Sequence, residues 1–209
     1  MSAIVLDEIN AAPPSYFATE EDFEAWCDED TKADYVDGRV IVDGPQLMLH
    51  AGAGTCLGTL LELFAGKHDF GVVIATQKVQ VRLRSGLRRS PDIVFISKMR
   101  AHIMREYFID GAPDLVVELV SSESTIRDWH EKYIEYEAAG IPEYWLIDQP
   151  QQRATLYALG DDRRYHPILP KEGKYYSKIL PGFWVKMEWF WPDSQFNTYE
   201  MAKEMGILA

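Results

Sequence analysis

A glutamate inside an apolar strand constrains this chain more than any other feature. Residues 91–96 read PDIVFI, and residues 113–120 read PDLVVELV with Glu118 near their end. Short apolar runs bounded by Pro and Ser are typical of strands that are buried on both faces. A carboxylate at Glu118 then costs several kcal/mol unless it is paired, hydrogen-bonded or bound to a metal. The fold must therefore supply Glu118 with a partner.

The acid best placed to join Glu118 is Asp92. Asp114 lies on the same strand as Glu118, but four residues separate the two by roughly 13 Å. Asp92 begins a different strand, and neighbouring strands lie only about 5 Å apart. If these two strands pair, Asp92 and Glu118 meet at one point.

The helix that follows the second strand supplies a cation. Thr125 and Asp128 fit a capping box, which predicts a helix start near Thr125. Lys132 then lies roughly 10 Å along the helix, and Glu118 lies roughly 10 Å back from the strand end at Ser121. A helix that turns back over its strand brings Lys132 level with Glu118. Two carboxylates and an ammonium at one point suit metal-assisted attack on a phosphodiester.

These segments resemble the PD-(D/E)XK nuclease superfamily and, more closely, the bacterial Uma-type restriction-endonuclease-like family. The resemblance covers roughly residues 19–180, and its specific parts are the runs 90–94 (SPDIV), 113–118 (PDLVVE), 131–136 (EKYIEY) and 140–145 (GIPEYW). The general superfamily pattern places a lysine two residues after the glutamate, where this chain has Val120. The Uma-type family supplies its lysine from the helix, and Lys132 matches that position.

The resemblance implies a divalent-metal-dependent endonuclease that hydrolyses nucleic acid, with DNA as the expected substrate. Asp92 and Glu118 would bind Mg²⁺ or Mn²⁺, and the Leu119 backbone carbonyl and waters would complete the shell. Such a metal activates water for attack on phosphorus, while Lys132 stabilises the developing charge.

Three further residues are candidate supporting groups. The family usually has Glu where this chain has Asp34, although by itself Asp34 is more typical of a solvated acid on an edge strand. The family often has a His near His50, which otherwise is typical of a polar cap at a helix start. Gln77 could face the site, although a surface position is the more ordinary one.

The net charge of −12 argues against nucleic-acid binding unless basic residues gather locally. Four arginines surround one predicted hairpin turn, and we call them the hairpin arginines: Arg82, Arg84, Arg88 and Arg89. They form either a basic stripe that contacts nucleic acid or ordinary solvated hairpin residues.

The predicted fold is α/β (α+β), with a restriction-endonuclease-like core, a mixed twisted sheet flanked by helices and an N-terminal hairpin extension. We expect an N-terminal extension at residues 1–18, the main domain at 19–180, and a C-terminal tail at 181–209. The tail is rich in aromatic residues, and we expect it to pack on the core or to form a dimer interface. Locally, we expect a capped helix after Thr19, a hairpin turn at Asp37 and Gly38, a helix over 50–65, and one half-buried strand over 72–83.

Other functions stay open. The same fold could serve as a catalytically silent binding or scaffold protein, with Glu118 in a structural ion pair. The glycines after His50 match nucleotide-binding loops poorly, and close helix packing explains them more simply. The two cysteines are distant, no signal-peptide pattern is present, and the longest uncharged run, residues 44–61, contains Pro45 and four glycines that make it a poor membrane span. We therefore expect a cytoplasmic protein that does not contact a membrane. We also expect a homodimer.

Overall fold

The fold consists of two main sheets with helices packed on them. A computed structural model describes residues 13–27, 31–42, 48–76, 79–120, 130–194 and 196–208. The α-helices are α1 (Glu20–Trp26), α2 (Met48–His68), α3 (Lys132–Ala139) and α4 (Thr198–Glu204). The strands are β1 (Ala33–Val36), β2 (Arg39–Val42), β3 (Gly71–Ile74), β4 (Gln80–Arg84), β5 (Leu87–Arg89), β6 (Ile93–Ser97), β7 (Phe108–Asp110), β8 (Leu115–Leu119), β9 (Glu143–Asp148), β10 (Arg153–Leu159), β11 (Tyr165–Pro167), β12 (Tyr175–Tyr176) and β13 (Trp184–Val185).

The larger sheet has six strands in the order β11-β10-β9-β8-β6-β3. Strand β8 runs parallel to β9 and antiparallel to β6, so the sheet is mixed. Side chains of β6 and β8 alternate between two apolar clusters, one shared with α2 and the other shared with Tyr136 of α3. Both faces are therefore covered, which explains why these strands are apolar throughout. The predicted mixed sheet flanked by helices is confirmed.

The second sheet has five strands in the order β2-β1-β5-β4-β7. The prediction of one strand over 72–83 was wrong, because β3 joins the six-stranded sheet and β4 joins this one. Strand β4 pairs antiparallel with β5 and parallel with β7. Strand β4 reads QVRLR and alternates in polarity, whereas β3 reads GVVI and does not, and a local pattern does not determine which partners each strand finds. The predicted hairpin, β1 and β2, is part of this sheet.

Two local predictions are confirmed near the N-terminus. Thr19 caps α1, and its hydroxyl accepts a hydrogen bond from the Asp22 backbone N–H at 3.1 Å. Asp37 and Gly38 turn the chain between β1 and β2 with φ values of +46° and +94°. Positive φ at both central residues is the geometry that favours Asp-Gly in two-residue hairpins.

Helix α2 is the central helix of the larger core. It extends the predicted helix at both ends, and Leu57, Leu60 and Leu61 are fully buried. A Cβ atom at Gly58 would lie 2.6 Å from the Ala75 Cβ, so this glycine permits close packing against the chain after β3. By length and composition α2 is apolar enough to cross a membrane. However, 56% of its apolar 18-residue stretch is buried inside the fold.

The C-terminal segment packs onto the same core as α2. Phe183, Val185 and Phe190 are fully buried in that cluster, and Ala202 of α4 joins them. The tail therefore packs on the core, which is one of the two roles expected for it. The homodimer and the domain boundaries stay predictions.

Glu143, at the start of β9, ties residues 177–179, which lead into the C-terminal segment, to the sheet. Its fully buried carboxylate accepts hydrogen bonds from the Trp145 indole at 2.5 Å and from the Ser177 hydroxyl at 3.1 Å. It also accepts the backbone N–H groups of Lys178 at 2.7 Å and Ile179 at 2.9 Å. One carboxylate thus satisfies four donors from two parts of the chain.

We expect Glu143→Leu to lower the free energy of unfolding by about 2–4 kcal/mol, because buried donors then lose their acceptor. Denaturant unfolding measures the change. Glu62→Leu on the exposed side of α2 is the control, and its effect should stay within about 0.5 kcal/mol. Equal effects of the two substitutions would contradict an anchoring role for Glu143.

Candidate active site

The structure brings Asp92 and Glu118 together at one end of the β6–β8 pair. The antiparallel register Ile93↔Val117 places Asp92 opposite Glu118, so their side chains share one face of the sheet. Asp92 Oδ2 accepts a hydrogen bond from the Leu119 backbone N–H at 2.7 Å. The two carboxylates are only 1% and 2% exposed. Two buried acids therefore meet where two central strands are joined.

Glu118 is held by two side chains of α3. The Lys132 Nζ lies 2.8 Å from Glu118 Oε2, and the Tyr136 hydroxyl donates to Glu118 Oε1 at 2.7 Å. Lys132 and Tyr136 are four residues apart and so lie on the same side of the helix. The predicted helix start at Thr125 and Asp128 lies outside the described residues, but Lys132 does reach Glu118.

Tyr136 was missed as a site residue. It is fully buried, and burial together with the neighbouring charge of Glu118 raises the pKa of its phenol well above the ordinary value. The phenol therefore stays protonated and donates to the carboxylate. The spacing of four residues from Lys132 was the signal in the sequence that could have identified it.

Asp92 has its own cation, which sequence reasoning also missed. Lys32 Nζ lies 2.7 Å from Asp92 Oδ1, and His50 Nε2 lies 3.3 Å from the same oxygen. Burial alone would raise the pKa of Asp92, but the hydrogen bond from His50 and the charge of Lys32 outweigh burial and hold that pKa well below its usual range. The Asp92 carboxylate is therefore ionised at neutral pH.

Asp34 lies on β1 and is buried, not solvated, which corrects the expectation drawn from its position alone. One of its oxygens accepts a hydrogen bond from the Arg89 guanidinium at 2.9 Å. The other accepts a hydrogen bond from the Ser90 backbone N–H at 2.8 Å. Ser90 is two residues before Asp92. Asp34 therefore acts on the site by fixing the backbone that leads to Asp92.

The hairpin arginines do not form the expected exposed stripe. Arg88 and Arg89 are almost completely buried, and each is paired with acids. Arg82 pairs with Asp110 at 2.7 Å and is partly exposed, and Arg84 pairs with Asp37 at 2.8 Å at the surface. The prediction is wrong for Arg88 and Arg89, because acidic residues of α1 and α3 pair with them inside the fold.

The remaining positions considered for the site are Leu119, Gln77 and Asp114. Leu119 reaches the site through its N–H group, and a role for its carbonyl stays a prediction. Gln77 lies outside the described residues. Asp114 accepts the Ser97 N–H at the opposite end of the strand pair, as its distance along β8 required.

With this geometry in place, the sequence can be compared with known families. A sequence model described as "Uma2: Putative restriction endonuclease" matches residues 20–188. The chain belongs to the Uma2 family. The predicted family is thereby confirmed, and its matched region contains both acids and Lys132.

A solved structure supports the fold of this Uma2 chain. It is described as "a putative nuclease belonging to DUF820 from Anabaena variabilis ATCC 29413", and it matches with a TM-score of 0.66 at 14% sequence identity. The match covers 82% of this chain and 96% of the Anabaena chain. At this low identity the likeness shows the fold. A search of curated proteins finds no match.

The donor atoms of this Uma2 chain suit a hard divalent cation. Mg²⁺ usually takes one or two carboxylates together with waters and substrate phosphate oxygens, and Asp92 and Glu118 are such carboxylates. Within the described ranges, no group of three His, Cys, Asp or Glu side chains could hold a metal ion. A cation here would therefore rely on the two acids, with oxygen atoms of backbone, water or substrate as its other ligands.

Proposed function

We propose that this protein is a divalent-metal-dependent endonuclease that hydrolyses phosphodiester bonds in nucleic acid, with DNA as its expected substrate. The family description and the description of the Anabaena structure as "a putative nuclease" support this proposal. The observation that carries it is the opposition of Asp92 and Glu118 with the Lys132 ammonium 2.8 Å from Glu118. Buried acids and a buried ammonium at one point are the components of metal-assisted phosphodiester hydrolysis.

Each residue has a separate task in this proposal. Asp92 and Glu118 would hold Mg²⁺ or Mn²⁺, which would supply an activated water and charge neutralisation. Lys132 would stabilise the negative charge that develops on the phosphate. Tyr136 and His50 would orient the two carboxylates through the hydrogen bonds described above. The partly exposed Arg82 and Arg84 remain candidates for contact with nucleic acid, and a cytoplasmic homodimer remains part of the proposal.

One observation favours a second candidate, a catalytically silent binding or scaffold protein. Glu118 already has Lys132 at 2.8 Å, and Asp92 already has Lys32 at 2.7 Å. Two satisfied ion pairs could serve structure alone, because buried charges need partners whether or not they are catalytic. The two candidates differ in whether the site binds a metal and cleaves nucleic acid.

Cleavage assays with Asp92→Asn test the proposed function. We expect the wild-type protein to nick plasmid DNA or cut single strands with Mg²⁺ or Mn²⁺ and to be inactive in EDTA. Asp92→Asn should lose at least about 100-fold in rate, because the metal loses a charged ligand. Asp69→Asn, at an exposed acid paired with Lys98, is the matched control and should cleave as the wild type does.

Two outcomes would count against the endonuclease. Folded wild-type protein that cleaves no substrate with either metal would favour the scaffold protein. Cleavage that persists in EDTA and in Asp92→Asn would indicate a contaminating nuclease.

A further inference from the structure

Two acids and two lysines form the centre of the site, and each acid is paired with one lysine. Asp92 pairs with Lys32 at 2.7 Å, and Glu118 pairs with Lys132 at 2.8 Å. Both carboxylates are almost fully buried. A divalent cation added to this group would bring two more positive charges close to both ammonium groups. Like charges repel in a buried site, so a metal at these carboxylates competes with the ammonium groups for them.

The two lysines differ in how readily they can leave. The Lys132 side chain is 2% exposed, and its helix also places Tyr136 on the same carboxylate. The Lys32 side chain is 15% exposed and belongs to the short segment that precedes β1. A partly exposed ammonium regains water more readily when it leaves its partner than a fully buried one does. Lys32 is therefore the lysine that can leave.

Lys32 also lies at the oxygen that a metal would use. Asp92 Oδ2 accepts the Leu119 N–H, so Oδ1, which faces Lys32 and His50, is the oxygen that can accept another cation. We propose that the Lys32 ammonium takes the place of the divalent cation at Asp92 in the metal-free protein and competes with the metal for that carboxylate. This inference rests on the proposed metal site and adds a regulatory residue to it.

The exchange has two consequences. With Lys32 in place, the buried Asp92 carboxylate keeps a cation when metal is scarce, so the metal-free protein stays folded. The same ammonium weakens metal binding, because the metal must displace it. Removing the charge of Lys32 should therefore destabilise the metal-free protein and strengthen metal binding at the same time.

Titration with Mn²⁺ alone tests the inference in wild type, Lys32→Gln and Lys32→Arg. Electron paramagnetic resonance measures metal binding, and thermal melts measure stability in EDTA and in Mn²⁺. We expect Lys32→Gln to bind Mn²⁺ at least about tenfold more tightly, which corresponds to about 1.4 kcal/mol of binding free energy. Its melting temperature should fall in EDTA and recover with Mn²⁺. Lys32→Arg keeps the charge and should bind Mn²⁺ about as the wild type does.

The control is Lys98→Gln, which removes an exposed lysine that also pairs with an aspartate. It should change neither the affinity for Mn²⁺ nor the recovery of stability with the metal. Mn²⁺ binding to Lys32→Gln that is equal to or weaker than wild-type binding would overturn the competition and leave the metal site in place. Absence of Mn²⁺ binding in the wild type and in every variant would instead overturn the metal site and the competition together.

Discussion

Replacing Lys132 with methionine is expected to lower the rate of metal-dependent cleavage by about 100- to 1000-fold. Loss of one preorganised charge at a transition state typically raises the barrier by roughly 3–4 kcal/mol. Methionine keeps most of the volume of the buried side chain, so the change removes charge and little packing. Single-turnover cleavage of a plasmid with Mn²⁺ measures the effect.

The same substitution affects stability, because the pair between Lys132 and Glu118 is buried on both sides. Removing one partner of a buried ion pair costs about 3–5 kcal/mol. Glu118 keeps the hydrogen bond from Tyr136, and a bound metal would replace the lost positive charge. We therefore expect Lys132→Met to melt at a lower temperature in EDTA and to recover most of the difference in Mn²⁺.

Lys98→Met provides the matched control, because Lys98 pairs with Asp69 at the surface. It should leave cleavage unchanged and alter stability by no more than about 1 kcal/mol. A stability loss in Lys132→Met that Mn²⁺ does not restore, without any metal-dependent cleavage in the wild type, would support the scaffold protein. Wild-type cleavage rates in folded Lys132→Met would exclude Lys132 from the mechanism.

The meeting of Asp92, Glu118 and Lys132 was predictable because the geometry of strands and helices limits it. A strand advances roughly 3.3 Å per residue and neighbouring strands lie about 5 Å apart, so Asp92 and Glu118 fall opposite each other once their strands pair. Lys132 was placed by a helix start near Thr125, which lies outside the described residues, and by its match to the lysine of the Uma-type family. Asp92 needed only the assumption that the two apolar strands, β6 and β8, pair, which they do although β7 lies between them in the chain. Regular elements close together in the chain therefore revealed most of the proposed site.

Contacts between distant segments were not predictable in this way. Lys32 and Asp92 are 60 residues apart, and Arg89 and Asp34 are 55 residues apart. Lys32 precedes β1 of the five-stranded sheet and Asp92 precedes β6 of the six-stranded one, so their meeting depends on how the two sheets pack. Arg89 and Asp34 meet because β1 pairs with β5 within one sheet. No local pattern in the sequence encodes either arrangement. Residue type was misleading as well, because an arginine that reads as exposed can be buried when several acids surround it.

Arg89 is the clearest case of such a buried charge, and its replacement should have a large effect on stability. Its guanidinium is completely buried, lies 2.9 Å from Asp34, and donates two hydrogen bonds of 2.7 Å to Glu135 of α3. Burial alone would lower the pKa of Arg89, but the hydrogen bonds to Glu135 and the charges of both acids keep that pKa well above its ordinary value. The residue therefore joins the hairpin to the helix that carries Lys132.

We expect Arg89→Met to lower the free energy of unfolding by about 3–5 kcal/mol, because two carboxylates lose the cation between them. Arg89→Lys keeps the charge but cannot donate in the same forked geometry, so it should lose less. The control Arg84→Met removes an exposed pair with Asp37 and should cost less than about 1 kcal/mol. Denaturant unfolding at neutral pH measures all three.

The pH dependence of Arg89→Met separates loss of charge from loss of packing. Without the guanidinium, the carboxylates near it lose their countercharge inside the fold, so their ionised forms oppose folding and their protonated forms do not. The stability deficit of Arg89→Met against wild type should therefore shrink as the pH falls from neutral towards about 4. A deficit that stays constant over this range would mean that Arg89 stabilises the protein through packing, and that its charge does not hold the hairpin to α3.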